Sequence, residues 1–311
     1  MARLFKRLWV GMLTRNEEDA DTDSPIALAV KQDRADRLYH LFPDSPQTDQ
    51  GQGGANLYEV PDTVVVPAKI SAESDLEFRL HIRGDDAWSP EVVFVWGELL
   101  GDEAVIPLAL SLKAVLDIAG PNSTPLVLST DPADTEGTER SQSPPLHKVG
   151  LGAADTRMRC CLVLISTSTE QDAGTDNTLS LHTKVLSGPG IQTQDFGDTP
   201  QEDLETGEAN LYQFTILDDD DEDPIEISYD MLGPDAFRLS IGFGDDQWTT
   251  SNFFLFGIDQ FLEDGVNVTS VVPLVHLPVW NLGQMSGDPN EGRESVVLPL
   301  VPLAAAVPPI P

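Results

Sequence analysis

The sequence predicts an all-β protein that contains two tandem, duplicated antiparallel β-sandwich domains of the jelly-roll type. Three observations predict this fold class. Apolar residues alternate with small or polar residues at a period of two, which is typical of half-buried antiparallel strands. The apolar segments are short and lie between clusters of glycine, proline and aspartate, which favour turns. Finally, much of the second half of the chain repeats features of the first half in the same order.

Strands are predicted wherever the period-two alternation is clear. In the first half, the alternating residues are Ile26, Leu28 and Val30, followed by Phe78, Leu80 and Ile82. In the second half, they are Leu179, Leu181 and Thr183, followed by Phe237, Leu239, Ile241 and Phe243. Each set lies on one face of a strand, because alternate side chains point to the same side. The pattern therefore indicates strands that bury one face.

The internal repeat is clearest in two pairs of segments. Residues 42–60 read FPDSPQTDQGQGGANLYEV and residues 196–214 read FGDTPQEDLETGEANLYQF, so they align without a gap at an offset of 154. Further along, residues 84–88 read GDDAW and residues 244–248 read GDDQW, after one extra residue in the second half. Matching pieces in the same order over most of the chain indicate a duplication.

A linker-like segment marks the junction between the repeats. Residues 129–146 are rich in proline, serine, threonine and aspartate, which is typical of a loop. We therefore assign the first domain to residues 1–152, with a basic N-terminal arm, and the second domain to residues 154–311, with an apolar C-terminal tail.

Three turns of the second domain carry a resemblance to a known family. They read AGTDN (173–177), DLETG (203–207) and GDDQW (244–248), each next to a predicted strand. A Gly-Thr-Asp turn, an acidic–x–acidic–x–Gly segment and an Asp–x–Trp turn in this order resemble the PLAT/LH2 family of β-sandwich domains. The resemblance covers residues 160–257 best and residues 13–97 more weakly. It implies a binding module, which in some members of the family depends on calcium and faces a membrane.

The resemblance also implies a set of calcium ligands. Carried over position by position, the candidates are Asp176, Asp203, Glu205 and Asp246. Carboxylates on neighbouring loops can supply several of the oxygen ligands that calcium needs. The first domain departs from the pattern, because residues 50–52 read QGQ and lack the second acidic ligand. On so acidic a chain, solvated surface carboxylates are the alternative interpretation.

The charge of the chain narrows the class of partners. Its 311 residues include 52 acidic and 18 basic residues, for a formal net charge of −34. A surface of this sign repels nucleic-acid phosphates and anionic lipid headgroups, so nucleic acid is not expected as a partner. Adaptation to high salt or neutralisation by bound calcium would each accommodate such charge. Because the acidic residues are spread over both halves, the high-salt interpretation is favoured.

The N-terminal segment, residues 1–15, is basic and aromatic. Its apolar residues are spaced as on one face of a helix, and they include Leu4, Phe5, Leu8 and Trp9. The alignment of the repeats instead places the segment opposite a predicted strand of the second domain, so helix and strand both stay open. In either case we expect an arm that docks on an acidic surface. It is also the one segment expected to permit membrane contact.

The C-terminal segment, residues 297–311, is almost entirely apolar and rich in proline. Proline disfavours a place in a central strand, although residues 297–300 retain the alternative of pairing as a last strand. Left exposed, the segment would form an apolar patch. Such a segment either covers its own domain or lies in a groove of a neighbour, and we favour docking on a neighbour through Leu300 and Pro308.

The sequence contains no recognised catalytic motif. It has no G-x-S-x-G, H-E-x-x-H or P-loop pattern, and its five histidines never fall at metal-ligand spacing. The adjacent Cys160 and Cys161 favour two reduced thiols, because a bridge between neighbours in an extended strand has poor geometry. No apolar stretch reaches the roughly 20 residues of a transmembrane helix, and no standard secretory signal is expected.

These observations favour a non-catalytic structural, assembly or interaction protein. A virion or surface-coat component of a halophilic system fits them best, made in the cytoplasm and incorporated into a particle through protein partners or self-assembly. The alternative is a calcium-dependent lipid- or protein-binding module of the PLAT type. An unrecognised hydrolase is more remote. Calcium is the one cofactor that the sequence suggests.

Overall fold

The protein is all-β. The computed structural model describes residues 4–18, 20–32, 38–42, 50–60, 75–82, 86–101, 104–112, 128–129, 146, 149, 157–186, 191–196, 204–216, 225–244, 246–263 and 266–303. The pairings between the described strands are antiparallel, and an isolated bridge between Met285 and Arg293 is parallel. Their helical content is a short 3₁₀ turn at Tyr229–Met231. Within the described residues, no helix is both long and apolar enough to span a bilayer.

The chain divides into two compact units, which we call unit 1 (Met1–Leu151) and unit 2 (Gly152–Leu303). The described strands of unit 1 are β1 (Phe5–Thr14), β2 (Ile26–Gln32), β3 (Leu38–Leu41), β4 (Ala55–Val60), β5 (Leu76–Ile82), β6 (Ala87–Trp88), β7 (Pro90–Leu99), β8 (Val105–Leu112) and β9 (Leu128–Ser129). One set of strands pairs in the order β4-β1-β7-β8. A second set pairs in the order β3-β2-β5, and β6 pairs with β9.

Unit 2 has the same kind of strand arrangement as unit 1. Its strands are β10 (Arg157–Met158), β11 (Cys160–Thr167), β12 (Leu179–Val185), β13 (Ile191–Asp195), β14 (Ala209–Thr215), β15 (Ile227–Ser228), β16 (Leu232–Ile241), β17 (Gln247–Trp248), β18 (Thr250–Glu263), β19 (Val266–Leu277), β20 (Met285–Ser286) and β21 (Ser295–Leu298). One set pairs in the order β14-β11-β18-β19. Another pairs in the order β13-β12-β16-β21, while β17 pairs with β20 and β10 with β15.

A separate hydrophobic core lies between the two larger sheets of each unit. In unit 1, alternate residues of β1, such as Leu8 and Val10, pack in one cluster with Leu28 of β2. In unit 2, Val163 of β11 and Leu239 of β16 lie in another cluster. Because these side chains belong to both sheets, burial between the sheets stabilises each sandwich, at about 25 cal/mol for each Å² of apolar surface removed from water.

The strands of the two units follow one order. The sheet β4-β1-β7-β8 of unit 1 corresponds strand by strand to β14-β11-β18-β19 of unit 2. The sheet β3-β2-β5 corresponds in the same way to β13-β12-β16. The small pair β6–β9 likewise has a counterpart in β17–β20.

The N-terminal segment forms a strand rather than a helix. Strand β1 lies between β4 and β7, and its Phe5 and Leu8 are fully buried in the core of unit 1. Trp9 is buried on the other face of the strand, where it stacks on Trp96, and Leu4 is half-buried. The prediction of a docking arm is therefore wrong, because these side chains already pack within their own unit.

The start of the C-terminal segment also packs on its own unit. Val297 and Leu298 belong to β21, which pairs with β16, and Leu300 packs against the core of unit 2. The Val301 N–H donates a hydrogen bond to the Leu274 carbonyl at 2.9 Å. The last-strand alternative for residues 297–300 thus holds up to Leu298. Pro308 lies outside the described residues.

Candidate functional site at the loop end of unit 2

Four loops of unit 2 meet at one end of its sandwich, and we call this surface the loop end. They are residues 168–178, 204–208, 242–244 with 246–249, and 278–294, a set that includes the short strands β17 and β20. The strand register places them together, because Thr167 at the end of β11 pairs with Thr250 at the start of β18. Similarly, Leu179 at the start of β12 pairs with Ile241 at the end of β16.

Asp246 holds two of these loops together. Its Oδ2 accepts a hydrogen bond from the Asp176 N–H at 2.9 Å, and its Oδ1 accepts one from the Gln247 N–H at 3.1 Å. The Asn177 side-chain amide donates to the Asp246 carbonyl at 3.1 Å. The bond from Gln247 closes a turn locally, whereas the bond from Asp176 joins the two loops. The sequence motif Asp–x–Trp therefore has a structural role in this loop end.

Gln247 connects the same turn to the loop 278–294. Its side-chain N–H donates to Glu291 Oε2 at 3.1 Å, and its Oε1 accepts a hydrogen bond from the Gln284 side chain. Within the loop, the Arg293 N–H donates to the Gln284 carbonyl at 3.1 Å. The Trp280 indole donates to the Gly283 carbonyl at 2.7 Å. Side-chain and backbone bonds thus brace exposed loops that would otherwise be free to move.

Glycines allow the loops to approach more closely than other residues could. A Cβ on Gly174 would lie 3.0 Å from the Thr206 backbone nitrogen and 3.1 Å from the Leu204 carbonyl oxygen. The Gly174 N–H also donates to Thr206 Oγ1 at 3.2 Å. The loops 168–178 and 204–208 are therefore in direct backbone contact, which requires the missing side chain at Gly174.

The four calcium candidates are only partly brought together. Asp176 and Asp246 share a hydrogen bond, and Glu205 lies in the adjacent loop, whereas Asp203 lies outside the described residues. The part of the chain that the structure describes contains no group of three or more histidine, cysteine, aspartate or glutamate side chains arranged to hold a metal ion. Calcium binding through Asp176, Asp203, Glu205 and Asp246 therefore remains a prediction.

The outer surface of the loop end is acidic and carries exposed apolar side chains. The described residues of its four loops include nine acidic residues and one basic residue, Arg293. Phe243 is 99% exposed and Val279 is 64% exposed. This combination differs from the period-two prediction, which placed Phe243 on the buried face of its strand. The strand instead ends at Ile241, so Phe243 belongs to the following loop.

A second group of chemically interesting side chains lies on the outer face of the sheet β13-β12-β16-β21. The His182 ring nitrogens lie 2.6 Å from Ser240 Oγ and 2.8 Å from Thr193 Oγ1. Beside them, Ser180 donates a hydrogen bond to Asp195 at 2.6 Å. A serine next to a histidine is the arrangement of an activated nucleophile. Here the residues are cross-strand neighbours on an exposed sheet face, and we interpret them as a polar ladder.

The sequence did not suggest this ladder, because its members come from three strands and only the register makes them neighbours. The hydrogen bonds around Asp246 were not predicted from the sequence for the same reason. Phe243 did carry a signal. It lies between two glycines, at the place where the second repeat has one residue more than the first.

Unit 1 contains the same turn chemistry. Trp88 donates to Thr14 Oγ1 at 3.0 Å, as Trp248 donates to Thr167 Oγ1 at 3.3 Å in unit 2. Likewise, Asp86 Oδ1 accepts the N–H of the residue that follows it at 2.9 Å. These two hydrogen bonds of the Asp–x–Trp turn are therefore the same in both units.

The turns before β4 and β14 also agree. Asn56 Oδ1 accepts a hydrogen bond from the Gln50 N–H at 3.1 Å, and Asn210 Oδ1 accepts one from the Leu204 N–H at 3.2 Å. Gln50 and Leu204 both adopt a positive φ, 48° and 57°. Few residues other than glycine adopt this conformation, so the asparagine holds the same unusual turn in each unit.

Comparison with known proteins adds the following. No protein-family model matches the chain, and no curated protein matches its sequence. Among solved structures, it is similar to the alpha toxin from Clostridium absonum, with a TM-score of 0.28 and 16% sequence identity. This similarity covers 39% of this chain and 32% of the toxin chain. The β-sandwich fold described above rests on the strands of the protein itself.

Proposed function

We propose that this chain is a non-catalytic interaction protein that binds a protein partner through the loop end of unit 2, as a subunit of a larger assembly. One observation carries the proposal. Asp246 and Gln247 brace three of the four loops, and a hydrogen bond between Gly174 and Thr206 joins the fourth. Several side chains of these loops, such as Phe243, are exposed to solvent. Loops held in one conformation lose little entropy on binding, which favours affinity. Loops on a rigid sandwich are common binding surfaces.

We further propose that the two units are copies of one ancestral domain. The equal strand orders support this, and so do the matched bonds of Asn56 with Asn210 and of Trp88 with Trp248. Duplication would give the assembly two related surfaces, of which the loop end of unit 2 has acquired its own exposed residues. It would also account for the shared run Ala-Asn-Leu-Tyr.

The test compares two charge reversals in the full chain. Glu170 and Glu294 are exposed at the loop end, whereas Asp230 and Asp235 are exposed near the opposite end of unit 2. We expect proteins that co-purify from the native source to be lost with E170K/E294K and retained with D230K/D235K. Light scattering of the complex in molar salt would give its mass. Equal retention by both variants would exclude the loop end as the binding surface.

A calcium-dependent module of the PLAT type is the second candidate. The contact between Asp176 and Asp246 favours it, because it brings together two of the four residues that the resemblance implies. Calorimetric titration of the full chain with calcium tests this candidate. Binding heat that disappears with D176N/E205Q would support it. The absence of any heat at millimolar calcium, in a range that covers weak extracellular sites, would exclude it.

A further inference from the structure

The most exposed aromatic residue of the described chain is Phe243, which lies in the loop between β16 and β17. The residue is 99% exposed, whereas phenylalanines in folded proteins are usually buried. Single exposed apolar residues are common and need no function. At Phe243, however, the surrounding backbone fixes the direction of the side chain, and this requires a separate explanation.

The backbone of residues 242–244 is held between two other segments. On one side, the Gly242 N–H donates to the Thr178 carbonyl at 2.7 Å, and a Cβ on Gly244 would collide with the Asn177 side chain. On the other side, a Cβ on Gly287 would lie 2.7 Å from the Gly244 carbonyl oxygen. Because both neighbours touch the backbone, the Phe243 side chain has only solvent to enter. The exposed ring is thus a consequence of a rigid, glycine-lined turn.

The comparison of the two repeats points the same way. In the first repeat, residues 82–86 read IRGDD, whereas residues 241–246 of the second read IGFGDD. The second repeat therefore has one more residue in this turn, and the exposed phenylalanine lies in that lengthened segment. A turn that is one residue longer, with glycine on each side of an aromatic residue, presents a ring that the shorter turn lacks.

We infer that Phe243 is the anchor by which the loop end binds its partner, and that the partner is a protein with an apolar pocket surrounded by lysine and arginine. This inference rests on the function proposed above. Aromatic side chains surrounded by polar residues commonly carry most of the binding energy of an interface. The charge of the partner follows from the nine acidic residues and single arginine among the described residues of the loop end, because complementary charge favours encounter and excludes wrong partners.

Charge also argues against two other occupants. An anionic membrane would be repelled by the acidic side chains around Phe243. A second copy of this chain carries the same net charge of −34, and lysine is absent from its sequence after Lys184. A basic protein pocket satisfies both the ring and its acidic surroundings.

The experiment uses a defined probe, a phage-displayed library of random 16-residue peptides selected against the full chain at low salt. We expect the selected peptides to combine aliphatic or aromatic residues with lysine and arginine. Their affinity should fall at least 10-fold for F243A, which removes the ring without touching the core. The matched control is L186A. Leu186 is 65% exposed near the opposite end of unit 2, so its removal should leave affinity unchanged. Equal melting temperatures of the two variants would show that both are folded.

The outcomes separate this inference from the proposed function. Peptides that lose affinity for E170K/E294K but bind F243A as tightly as the wild type would overturn the anchor and leave the loop end as the surface. Peptides indifferent to all these changes would overturn both. If F243A instead abolishes self-association in sedimentation, or binding to phosphatidylcholine vesicles, the occupant is a second copy or a lipid surface, and the basic protein pocket is wrong.

Discussion

Two adjacent thiols illustrate how burial governs chemistry at the scale of single residues. Cys160 and Cys161 begin β11 and are both buried. Burial raises the pKa of the Cys161 thiol to about 12, and burial, Cys161 and the nearby Asp259 raise the pKa of Cys160. Since the thiolate is the reactive form, we expect neither thiol to react with iodoacetamide at pH 8 until the protein unfolds. Mass spectrometry after labelling with and without guanidinium tests this.

The same shift predicts a loss of stability in alkali. A thiol whose pKa is higher in the folded state binds its proton more tightly there. The free energy of unfolding is therefore unaffected well below the unfolded-state pKa of 9.0 and decreases as the pH rises above that value. Between pH 8 and pH 10 we expect the free energy of unfolding to fall by about 1.4 kcal/mol for each thiol. Denaturant titrations of the wild type and of C160A/C161A would show a smaller fall in the variant.

The polar ladder of His182, Ser240 and Thr193 provides a test of catalysis. Nucleophilic serines need groups that stabilise the oxyanion as well as a neighbouring base, and these residues lie on an open sheet face. We expect a fluorophosphonate probe to leave Ser240 unlabelled at neutral pH, both in the wild type and in the H182A variant. Stoichiometric labelling that disappears in H182A would contradict the non-catalytic proposal.

At the scale of elements, the burial of residues on β1 distinguishes a core strand from a docking arm. Leu8 is fully buried in the core of unit 1, whereas Lys6 on the same strand is exposed and pairs with Glu98 at 3.4 Å. Removing a buried leucine side chain costs about 2–5 kcal/mol. Loss of Lys6 should cost little, because the buried Glu98 keeps Arg7 and the Trp9 indole as partners. We expect L8A to lower the free energy of unfolding by that amount and K6A to change it by less than about 0.5 kcal/mol. If L8A and K6A both changed the free energy of unfolding only slightly, β1 would be a docking arm and not a core strand.

The turns that precede β4 and β14 permit a paired test of the two units. Asn56 and Asn210 are both buried, and each accepts a backbone N–H through its side-chain oxygen. Leaving such an N–H without an acceptor costs about 1–3 kcal/mol. We therefore expect N56A and N210A each to reduce the stability of the unit that carries it by this amount. N56D and N210D keep an acceptor and should lose less. A loss in only one unit would contradict equivalent turns.

At the scale of the whole molecule, the sequence predicted the fold class from particular residues. The alternation at Ile26, Leu28 and Val30 predicted a strand, and the same residues lie in the core of unit 1. The N-terminal segment fitted both a helix and a strand, and only pairing with β4 and β7 decided between them. The family resemblance grouped Asp176 with Asp246, but the hydrogen bonds that brace the loop end could not be predicted, because the residues they join lie up to 70 positions apart. Local patterns contain no information about such distant contacts.

The net charge of −34 leads to a final prediction for the whole chain. Like charges on a compact surface repel one another, and unfolding relieves this repulsion by separating them. Salt shortens the range of the repulsion to about 3 Å at 1 M. We therefore expect the melting temperature to rise steeply from dilute buffer to 1 M KCl and to level off there. NaCl should act alike, because screening depends on ionic strength.

A charge-reduced variant provides the control for this prediction. Replacing the six acidic residues 218–223 with their amides removes six negative charges without changing side-chain size. The salt-induced rise of the melting temperature should become smaller in this variant, because less repulsion remains to be screened. Differential scanning calorimetry over the salt series measures both curves. A wild-type melting temperature that does not change with salt would mean that bound cations already neutralise the surface, which would favour the calcium-dependent candidate over adaptation to high salt.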